Sequence, residues 1–290
     1  MQRLTYINLL GESVRFFHAP FVLESVSGTG PTDTEVATLR GAYQSGDTVT
    51  GARKQSREVT VTFAVLCDTR LAMYELRRTL CGALAPHKAF DGESQARLIY
   101  ENDAGRFWTP AVPIEGPTFG HRRQNALPQV TLRFRCERSC WYDMTATEAS
   151  LAYRGEGLSL PMSAPFCLGS RDFTCEVWND GQVDAAAEIE VTGRGEIPAL
   201  VNLDTGAAIR LASALPTGST LRIVTEPGAL SCRVTDSGGT QSNAFGLLSA
   251  DTELTRFTLR PGRNVLKYEP GGEAALSSIR VRFYAPYEGV

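Results

Sequence analysis

The sequence predicts a mainly β protein of two domains, with a single α-helix in the first. Short segments of alternating apolar and polar residues recur along most of the 290 residues, and such period-two patterns are typical of half-buried strands. Only residues 69–84 show a clear helical period. Periodicity is lost over residues 143–165, which contain Gly and Pro, as is typical of a domain boundary. We therefore predict domains at 1–146 and 166–290, joined by a linker at 147–165.

The opening of the chain predicts a hairpin. Residues 4–9 and 21–26 are strand-like apolar segments, and Gly11 follows the first of them in a turn-forming position. We expect these two segments to pair with each other.

A strand that runs directly into the helix is the strongest local signal in the first domain. Residues 59–65 alternate, and the residues of the inward face are Val59, Val61, Phe63 and Val65. The helix follows at about 69–84, with Asp68 or Thr69 as candidate N-caps and Pro86 as a stop signal. One helix packed on a small antiparallel sheet would supply the core of this domain.

Residues 28–55 form a long polar segment that is interrupted by Gly and Pro. A connection of this length inside a compact domain is usually functional or mobile. We interpret it as an extended arm or β-hairpin that contacts another chain, and the alternative is a flexible surface loop. The candidate inter-subunit contact residues are Val36, Leu39, Tyr43, Val49, Arg53, Lys54 and Arg57.

The later segments of the chain are also strand-like. Residues 129–136 alternate cleanly, so that Cys136 is expected to face the core together with its apolar neighbours. Beyond residue 166, eight or more short strands without an intervening helix predict a β-sandwich or jelly roll. The strongest hairpin signal there is the turn sequence at residues 179–181, Asn-Asp-Gly.

Composition excludes several classes of function. The formal net charge is −3 with scattered Lys and Arg, so there is no basic footprint for nucleic acid. No apolar run approaches a membrane span, and residues 1–8 lack a signal-peptide core, so we expect a chain made and kept in a cytoplasm. The seven cysteines are an odd count without a tidy framework, which favours reduced thiols.

Residues able to support metal binding or acid–base chemistry are isolated in sequence. His18, His87 and His121 have no metal-ligand neighbours, which favours surface or interface roles. Cys136 and Cys140, considered with Cys167 and Cys175, are open to a zinc interpretation, but core packing is favoured for Cys136 because it falls on an inward face. We therefore predict no metal site.

Carboxylates and tryptophans also leave alternatives open. The candidate carboxylates are Asp33, Glu35, Asp103, Glu188, Asp251 and Glu253. Glycoside hydrolysis needs paired acids, which a sequence cannot pair, and exposed carboxylates normally only solvate a surface. Trp108, Trp141 and Trp178 are candidate sugar-stacking platforms, although buried aromatic anchors are the favoured interpretation. We predict no catalytic residue, no cofactor and no enzymatic activity.

The order and spacing of several motifs resemble the distal tail proteins (Dit) of long-tailed phages, over nearly the whole chain. The matching pieces are the opening hairpin, the loop bearing Gly46, Arg57 before its strand, residues 100–103 and 105–108, the strand end at 140–143, residues 179–181, 193–198 and 202–206, Gly218, and residues 261–264. The family often has Asp-Pro before the aromatic pair, where this chain has Arg138-Ser139-Cys140.

This resemblance implies a fold, an assembly and a set of partners. The N-terminal domain would be a β-barrel-like belt domain that forms a homohexameric ring, and the C-terminal domain a galectin-like β-sandwich. The ring would join the tail tube protein to the tail-tip hub (tail-associated) protein, with the tape measure protein as a further candidate partner. DNA would pass through the open channel without specific binding, and no membrane would be involved. The chain would reside in the virion, at the tail tip or baseplate, after assembly in the host cytoplasm.

We therefore predict a non-enzymatic structural component of a phage tail tip. The alternative is a carbohydrate-binding protein that recognises host glycans through its C-terminal sandwich, although fold alone does not carry sugar binding. A third interpretation, a glycan-degrading tail enzyme, lacks a sequence signature.

Overall fold

The structure is a computed structural model, mainly β as predicted. It describes residues 2–92, 94–119, 126–152 and 174–290. The chain divides into two compact units, Met1–Met144 with Tyr287–Val290, and Thr145–Pro286. Of the predicted linker, residues 147–152 continue a strand, whereas 153–165 lie outside the described residues. The linker therefore stays a prediction, and the return of residues 287–290 to the first unit was not anticipated.

The described residues of the first unit contain eleven strands and two helices. The strands are β1 (Arg3–Ile7), β2 (Ser13–Phe16), β3 (Phe21–Ser27), β4 (Thr34–Leu39), β5 (Thr48–Lys54), β6 (Arg57–Leu66), β7 (Arg97–Asn102), β8 (Gly105–Pro110), β9 (Val112–Glu115), β10 (Ala126–Cys136) and β11 (Trp141–Ala152), the last of which continues into the second unit. The helices are α1 (Arg70–Ala83) and α2 (Pro86–Ala89).

Three sheets form in the first unit. One has the strand order β11-β8-β7-β1-β2, the second the order β3-β6-β10-β9, and the third consists of β4 and β5 alone. These are open, sandwich-type sheets, and the described strands form no closed barrel. The core between the first two sheets is rich in aromatic residues, as shown by the contacts of Tyr6 with Phe134 and of Phe16 with Phe63, at centroid distances of 5.2 and 4.9 Å.

The predicted strand and helix at 59–84 are confirmed. The four inward residues of β6 are buried, because the period of two places every second side chain on the core face. The Oγ1 atom of Thr69 accepts a hydrogen bond of 3.1 Å from the amide of Ala72, so Thr69 is the N-cap. Pro86, predicted as the stop signal of the first helix, is also the first residue of α2, because its fixed φ suits a first helical turn.

The predicted pairing of the first two segments is wrong. Strand β1 pairs with β2, from Leu4 opposite Phe16 to Ile7 opposite Ser13, and Gly11 lies in the turn with φ of +80°. Strand β3 instead pairs with β6 in the other sheet. The four residues of β2 are too few for a periodic signal, although Val14 and Phe16 are both buried.

The second unit is a β-sandwich-like arrangement of strands whose lengths range from 2 residues in β13 to 26 residues in β20. They are β12 (Thr174–Asn179), β13 (Ala185–Ala186), β14 (Glu188–Asn202), β15 (Ala208–Arg210), β16 (Thr220–Val224), β17 (Ser231–Thr235), β18 (Gln241–Asn243), β19 (Thr258–Leu259) and β20 (Gly262–Tyr287). One sheet has the order β18-β17-β16-β14-β20-β11, with β12 beside β20 and β15 beside β14, and β13 pairs with β19. Two 3₁₀ helices, Phe245–Leu247 and Leu254–Arg256, connect strands.

The turn at residues 179–181 forms without the predicted hairpin. The side chain of Asn179 accepts from the amide of Gly181 at 2.9 Å and donates to the carbonyl of Leu259 at 2.8 Å. Strand β12 nevertheless pairs with β20, and β13 pairs with β19. The turn sequence therefore indicated the local bend correctly but not the strand partners, which are set far along the chain.

Candidate functional site: the exposed hairpin of residues 28–55

The segment 28–55, interpreted as an arm or a hairpin, forms a β-hairpin. Strands β4 and β5 pair from Thr34 opposite Lys54 to Leu39 opposite Thr48. Within the described part of the chain they pair with no other strand, and every residue of both is exposed. Isolated two-stranded hairpins are only marginally stable in water, so this one depends on its base or on a partner.

The two faces of the hairpin carry different apolar side chains. Residues directly opposite each other in an antiparallel pair share a face, and Val36 lies opposite Ala52. A register shift after Ala37 brings Val49 opposite Thr38, so Val36 and Val49 lie on one face. Leu39, an odd-numbered neighbour, lies on the other face. Both faces therefore offer exposed apolar side chains to a partner.

The tip of the hairpin presents Tyr43 to solvent. Its side chain is fully exposed, and its backbone has a φ of +65°, in the left-handed region that non-glycine residues rarely adopt. The tip is closed by hydrogen bonds from Gly41 N to Gln44 Oε1 at 3.0 Å and from Gln44 Nε2 to Thr48 Oγ1 at 2.8 Å. These bonds fix the loop around Tyr43, which is therefore held outward by its own turn.

The charged side chains of the hairpin are paired mainly within it. Arg53 lies 2.7 Å from Glu35 across the two strands, and Arg40 lies 3.9 Å from Asp47. Exposed ion pairs of this kind contribute about 0 to 1 kcal/mol each. What the hairpin offers to another chain is therefore its exposed apolar side chains and its open strand edges, which are templates for β-pairing.

Arg57, predicted as a contact residue, has a different place in the structure. Its side chain is 1% exposed. Its guanidinium group donates to the main-chain carbonyls of Gly28, Gly30, Ser139 and Glu288 at 2.5 to 2.6 Å. Burial lowers the pKa of Arg57 from its ordinary value. Arg57 is thus an internal anchor at the base of the hairpin, whereas the other six candidates lie on the exposed hairpin.

A polar concavity of about 420 Å³ lies at this base. It is bordered by residues 28–33 on one side and by Gln55, Ser56 and Glu58 on the other. The amide of Gln55 donates to the carbonyl of Asp33 at 3.0 Å, which closes the hairpin just above the concavity. The base is therefore closed by a backbone hydrogen bond beside the buried guanidinium group of Arg57.

The candidate metal ligands are not brought together in the described residues. His18 and His87 are exposed, and His121 lies outside the described residues. Cys136 is buried on the core face of β10, where burial raises the pKa of its thiol to about 12. Among described residues there is no cluster of three or more His, Cys, Asp or Glu with metal-binding geometry.

The expectation that all cysteines are reduced is wrong for Cys175. This residue is disulfide-bonded, whereas Cys67, Cys81, Cys136, Cys140 and Cys232 form no disulfide. Cysteine spacing alone does not report which thiols approach each other in three dimensions.

The candidate carboxylates of the second unit face arginines. Asp251 lies 3.6 Å from Arg210, Glu253 lies 2.9 Å from Arg256, and Glu188 lies 2.7 Å from Arg222. A hydrogen bond with Ser249 is the main cause that lowers the pKa of Asp251. An acid with a lowered pKa stays ionised, which is unsuitable for a general acid at neutral pH. The remaining candidates, Asp33, Glu35 and Asp103, are exposed.

The three tryptophans have unequal environments. Trp141 is fully buried and Trp108 donates from Nε1 to the carbonyl of Asp143 at 3.0 Å, so both act as anchors. Trp178 is 57% exposed, and the anchor interpretation is wrong for it. Strand β12 places it opposite Arg263 of β20, on the solvent-facing side.

A helix able to cross a bilayer is absent from the described residues, since none there combines the required length and apolarity.

Comparisons with known proteins confirm the resemblance found in the sequence. Residues 16–136 match the family model of the phage tail protein RIFT-related domain. The fold is similar to that of the Dit protein (gp 19.1) of phage SPP1, described as a paradigm of the hub adsorption apparatus in phages infecting Gram-positive hosts. That match has a TM-score of 0.60 and 15% identity, and covers 97% of this chain and 98% of the other.

Similar matches come from the baseplate of phage P2 in its activated conformation. The match to the structure with Ca has a TM-score of 0.53 and 12% identity, and it covers 97% of each chain. The match to the structure with Sr has a TM-score of 0.54 and 12% identity, and it covers 97% of this chain and 98% of the other. No curated protein matches the sequence. The similarity to solved structures therefore concerns the fold of the whole chain, and the family match concerns the first unit.

Proposed function

We propose that this chain is a structural component of a phage tail tip or baseplate, of the distal tail type. A phage tail domain over residues 16–136 and a Dit-like fold over 97% of the chain support this role. Among the described residues, no group of three or more His, Cys, Asp or Glu could hold a metal ion, and the proposed role requires none.

The proposed assembly is a homohexameric ring that joins the tail tube protein to the tail-tip hub protein, with the tape measure protein as a further partner. The channel through the ring stays open for DNA, which passes without specific binding. The assembly takes place in the host cytoplasm and the product resides in the virion. A closed ring needs a heterologous interface, in which one surface of a subunit meets a different surface of the next.

The single observation that carries the assembly is the hairpin. Strands β4 and β5 are exposed along their whole length, and they have Val36, Leu39, Tyr43 and Val49 in solvent. A ribbon of this kind can add to the edge of a neighbouring sheet, which satisfies its backbone groups and covers its apolar side chains. A stable interface buries about 1,600 Å² in total, to which such a ribbon can contribute a large share.

The test uses the purified full chain. Multi-angle light scattering is expected to give six times the monomer mass, and negative-stain images are expected to show rings. The control is a variant in which residues 32–52 are replaced by a short Gly-Ser linker, which we expect to be monomeric because β4 and β5 are lost. A full-length chain that is monomeric at every concentration, or a linker variant that keeps the ring, would contradict the proposal.

The exposed Trp178 favours one second candidate, glycan binding by the second unit. It lies opposite Arg263, which forms an ion pair of 2.5 Å with Glu176, so an exposed apolar ring face on which a sugar could stack lies beside charged groups that could bind its hydroxyls. A glycan array with the wild type and the Trp178→Ala variant tests this candidate. Binding that disappears in the variant would support it, and an array without signal would remove it.

A further inference from the structure

The chain is tightly packed at the point where the hairpin of residues 28–55 begins. Gly28 has a φ of +89°, and a Cβ built on it would lie 2.0 Å from the carbonyl oxygen of Glu58. Only glycine therefore fits here without moving β6. The outgoing and returning segments of the hairpin meet at a backbone hydrogen bond, in which the amide of Gln55 donates to the carbonyl of Asp33.

Residues 287–290 pack directly on this base. The amide of Val290 donates to the carbonyl of Thr29 at 3.1 Å. A Cβ built on Gly289 would lie 3.2 Å from the Cα of Gly30, so the two backbones are nearly in contact. The side chain of Glu288 lies 3.3 Å from Lys54 Nζ, at the end of β5. The segment thus contacts both sides of the hairpin base, at residues 29–30 before β4 and at Lys54 of β5.

Arg57 joins these parts through one guanidinium group. Nη1 donates to Gly28 and Gly30, and Nη2 donates to Ser139 and Glu288. The first pair of acceptors lies in the connection between β3 and β4, and Glu288 belongs to residues 287–290. A planar guanidinium with fixed donor directions holds its acceptors in one geometry. Any shift of residues 287–290 would therefore be felt at the start of the hairpin.

The segment is itself fastened to the core of the first unit. The ring of Tyr287 packs edge-on against Phe107 with 5.2 Å between centroids. Tyr287 and Val290 are partly buried against the same core cluster. Beyond this base, the described part of the hairpin has no strand partner that could fix its direction.

We propose that residues 287–290 set the direction in which the hairpin projects, and that the subunit contact of the hairpin requires them. The second half of this inference rests on the proposed function, whereas the first concerns the isolated subunit. Residues 287–290 are then positioning residues: they contact the base of the hairpin and act on a second copy of the chain only through it.

The experiment compares Gly289→Val with Gly30→Ala in the full chain. The added Cβ lies only 3.2 Å from the Cα of Gly30, and the two methyl groups of valine need further space there, so the neighbouring backbone must shift. A Cβ on Gly30 meets nothing within 4 Å, so Gly30→Ala is the control. Hydrogen exchange is measured for peptides covering residues 28–35 and 53–57. We expect exchange there to become at least tenfold faster in Gly289→Val and to stay unchanged in Gly30→Ala.

Light scattering and thermal melting complete the test. We expect Gly289→Val to lose the oligomer while its melting temperature stays within a few degrees of the wild type, a combination that general destabilisation would not give. If Gly289→Val is unfolded, Gly289→Ala, which adds only the Cβ, takes its place. Unchanged exchange at the base, or a full oligomer despite faster exchange, would overturn the inference. A monomeric wild type would instead overturn the proposed function, and the exchange rates would still decide the first half of the inference.

Discussion

The guanidinium group of Arg57 lies over the ring of Trp141, with 5.5 Å between Cζ and the ring centroid, and both side chains are fully buried. The polar partners of this buried cation are four main-chain carbonyls. The ring face adds an attraction of about 2 kcal/mol when it is desolvated. Burial of a charge is costly unless it is hydrogen-bonded, so the site is stable only with all these partners in place.

The first prediction is that Arg57→Met strongly destabilises the first unit. The substitution removes the guanidinium donor from four part-buried main-chain carbonyls, and a buried acceptor left unsatisfied costs about 1 to 3 kcal/mol. Urea denaturation measures the change in the free energy of unfolding. Arg53→Met is the control, since Arg53 forms an exposed pair with Glu35 and its loss should cost less than about 1 kcal/mol. Equal effects in the two variants would show that Arg57 does not act as a buried anchor.

The second prediction concerns the N-cap of α1. Thr69→Ala removes the acceptor of the Ala72 amide, which should lower the free energy of unfolding of the first unit by about 1 kcal/mol. Thr79 bonds the carbonyl of Glu75 within the same helix, and Thr79→Ala should be neutral or slightly stabilising because alanine has the higher helix propensity. Urea titrations of both variants check this, and a cap variant as stable as the wild type would refute it.

The third prediction separates the thiols by reactivity. Cys81 is exposed on α1, whereas Cys136 is buried with a pKa raised to about 12. Thiolates are the reactive form, so a maleimide at neutral pH should modify Cys81 rapidly and leave Cys136 unmodified until the unit unfolds. Peptide mass spectrometry after labelling in buffer and in urea measures both sites. Modification of Cys136 in the native protein would show that β10 is open to solvent.

The fourth prediction is a loss of stability at alkaline pH. Burial raises the pKa of Tyr6 from 10.0 and that of Cys136 from 9.0, each to about 12. Above pH 9 the unfolded chain therefore releases protons that the folded chain keeps, so the free energy of unfolding falls as pH rises from about 9 to 12. The phenol oxygen of Tyr6 has no hydrogen-bond partner among the residues that the structure describes, so Tyr6→Phe should keep stability at pH 8.

The Tyr6→Phe variant should also fall less steeply above pH 10 than the wild type. Urea midpoints at pH 8, 9, 10 and 11 measure this difference. Identical slopes in the two proteins would show that Tyr6 does not titrate in the expected way.

Sequence patterns over a few residues predicted the local structure well, but they did not predict contacts between residues far apart in the chain. The face of β6 and the cap at Thr69 follow from spacing within a few residues, and both are confirmed. The partner of β3 was wrong because pairing depends on residues about 40 positions away. The burial of Arg57 depends on acceptors as far away as Glu288. A charged residue before a strand carries no sequence signal for such acceptors, so Arg57 was assigned to the surface.

The candidate site was predicted in outline for the same reason. Gly and Pro punctuation indicated that residues 28–55 were separate from the core, and the hairpin is exposed. The structure of its base could not be predicted from the sequence, because it depends on the close approach of Gly289 to Gly30. Which chain the hairpin contacts stays a prediction.

The last prediction uses the tip of the hairpin. Tyr43→Gly removes a fully exposed ring at a position with φ of +65°. Glycine adopts the left-handed conformation without the cost of about 1 kcal/mol that other residues pay. The subunit itself should therefore be as stable as the wild type or slightly more stable, which thermal melting at low concentration measures.

The Tyr43→Gly substitution should weaken the association of subunits, although it does not destabilise the isolated subunit. Tyrosines at the centre of an interface often contribute 2 kcal/mol or more, which corresponds to about a thirtyfold weaker association. Tyr74 on α1 is also exposed but lies outside the hairpin, so Tyr74→Ala is the control and should assemble like the wild type. Light scattering over a dilution series compares the three proteins. A Tyr43→Gly variant that assembles as tightly as the wild type would exclude the tip from the subunit contact, because its removal costs the isolated subunit nothing.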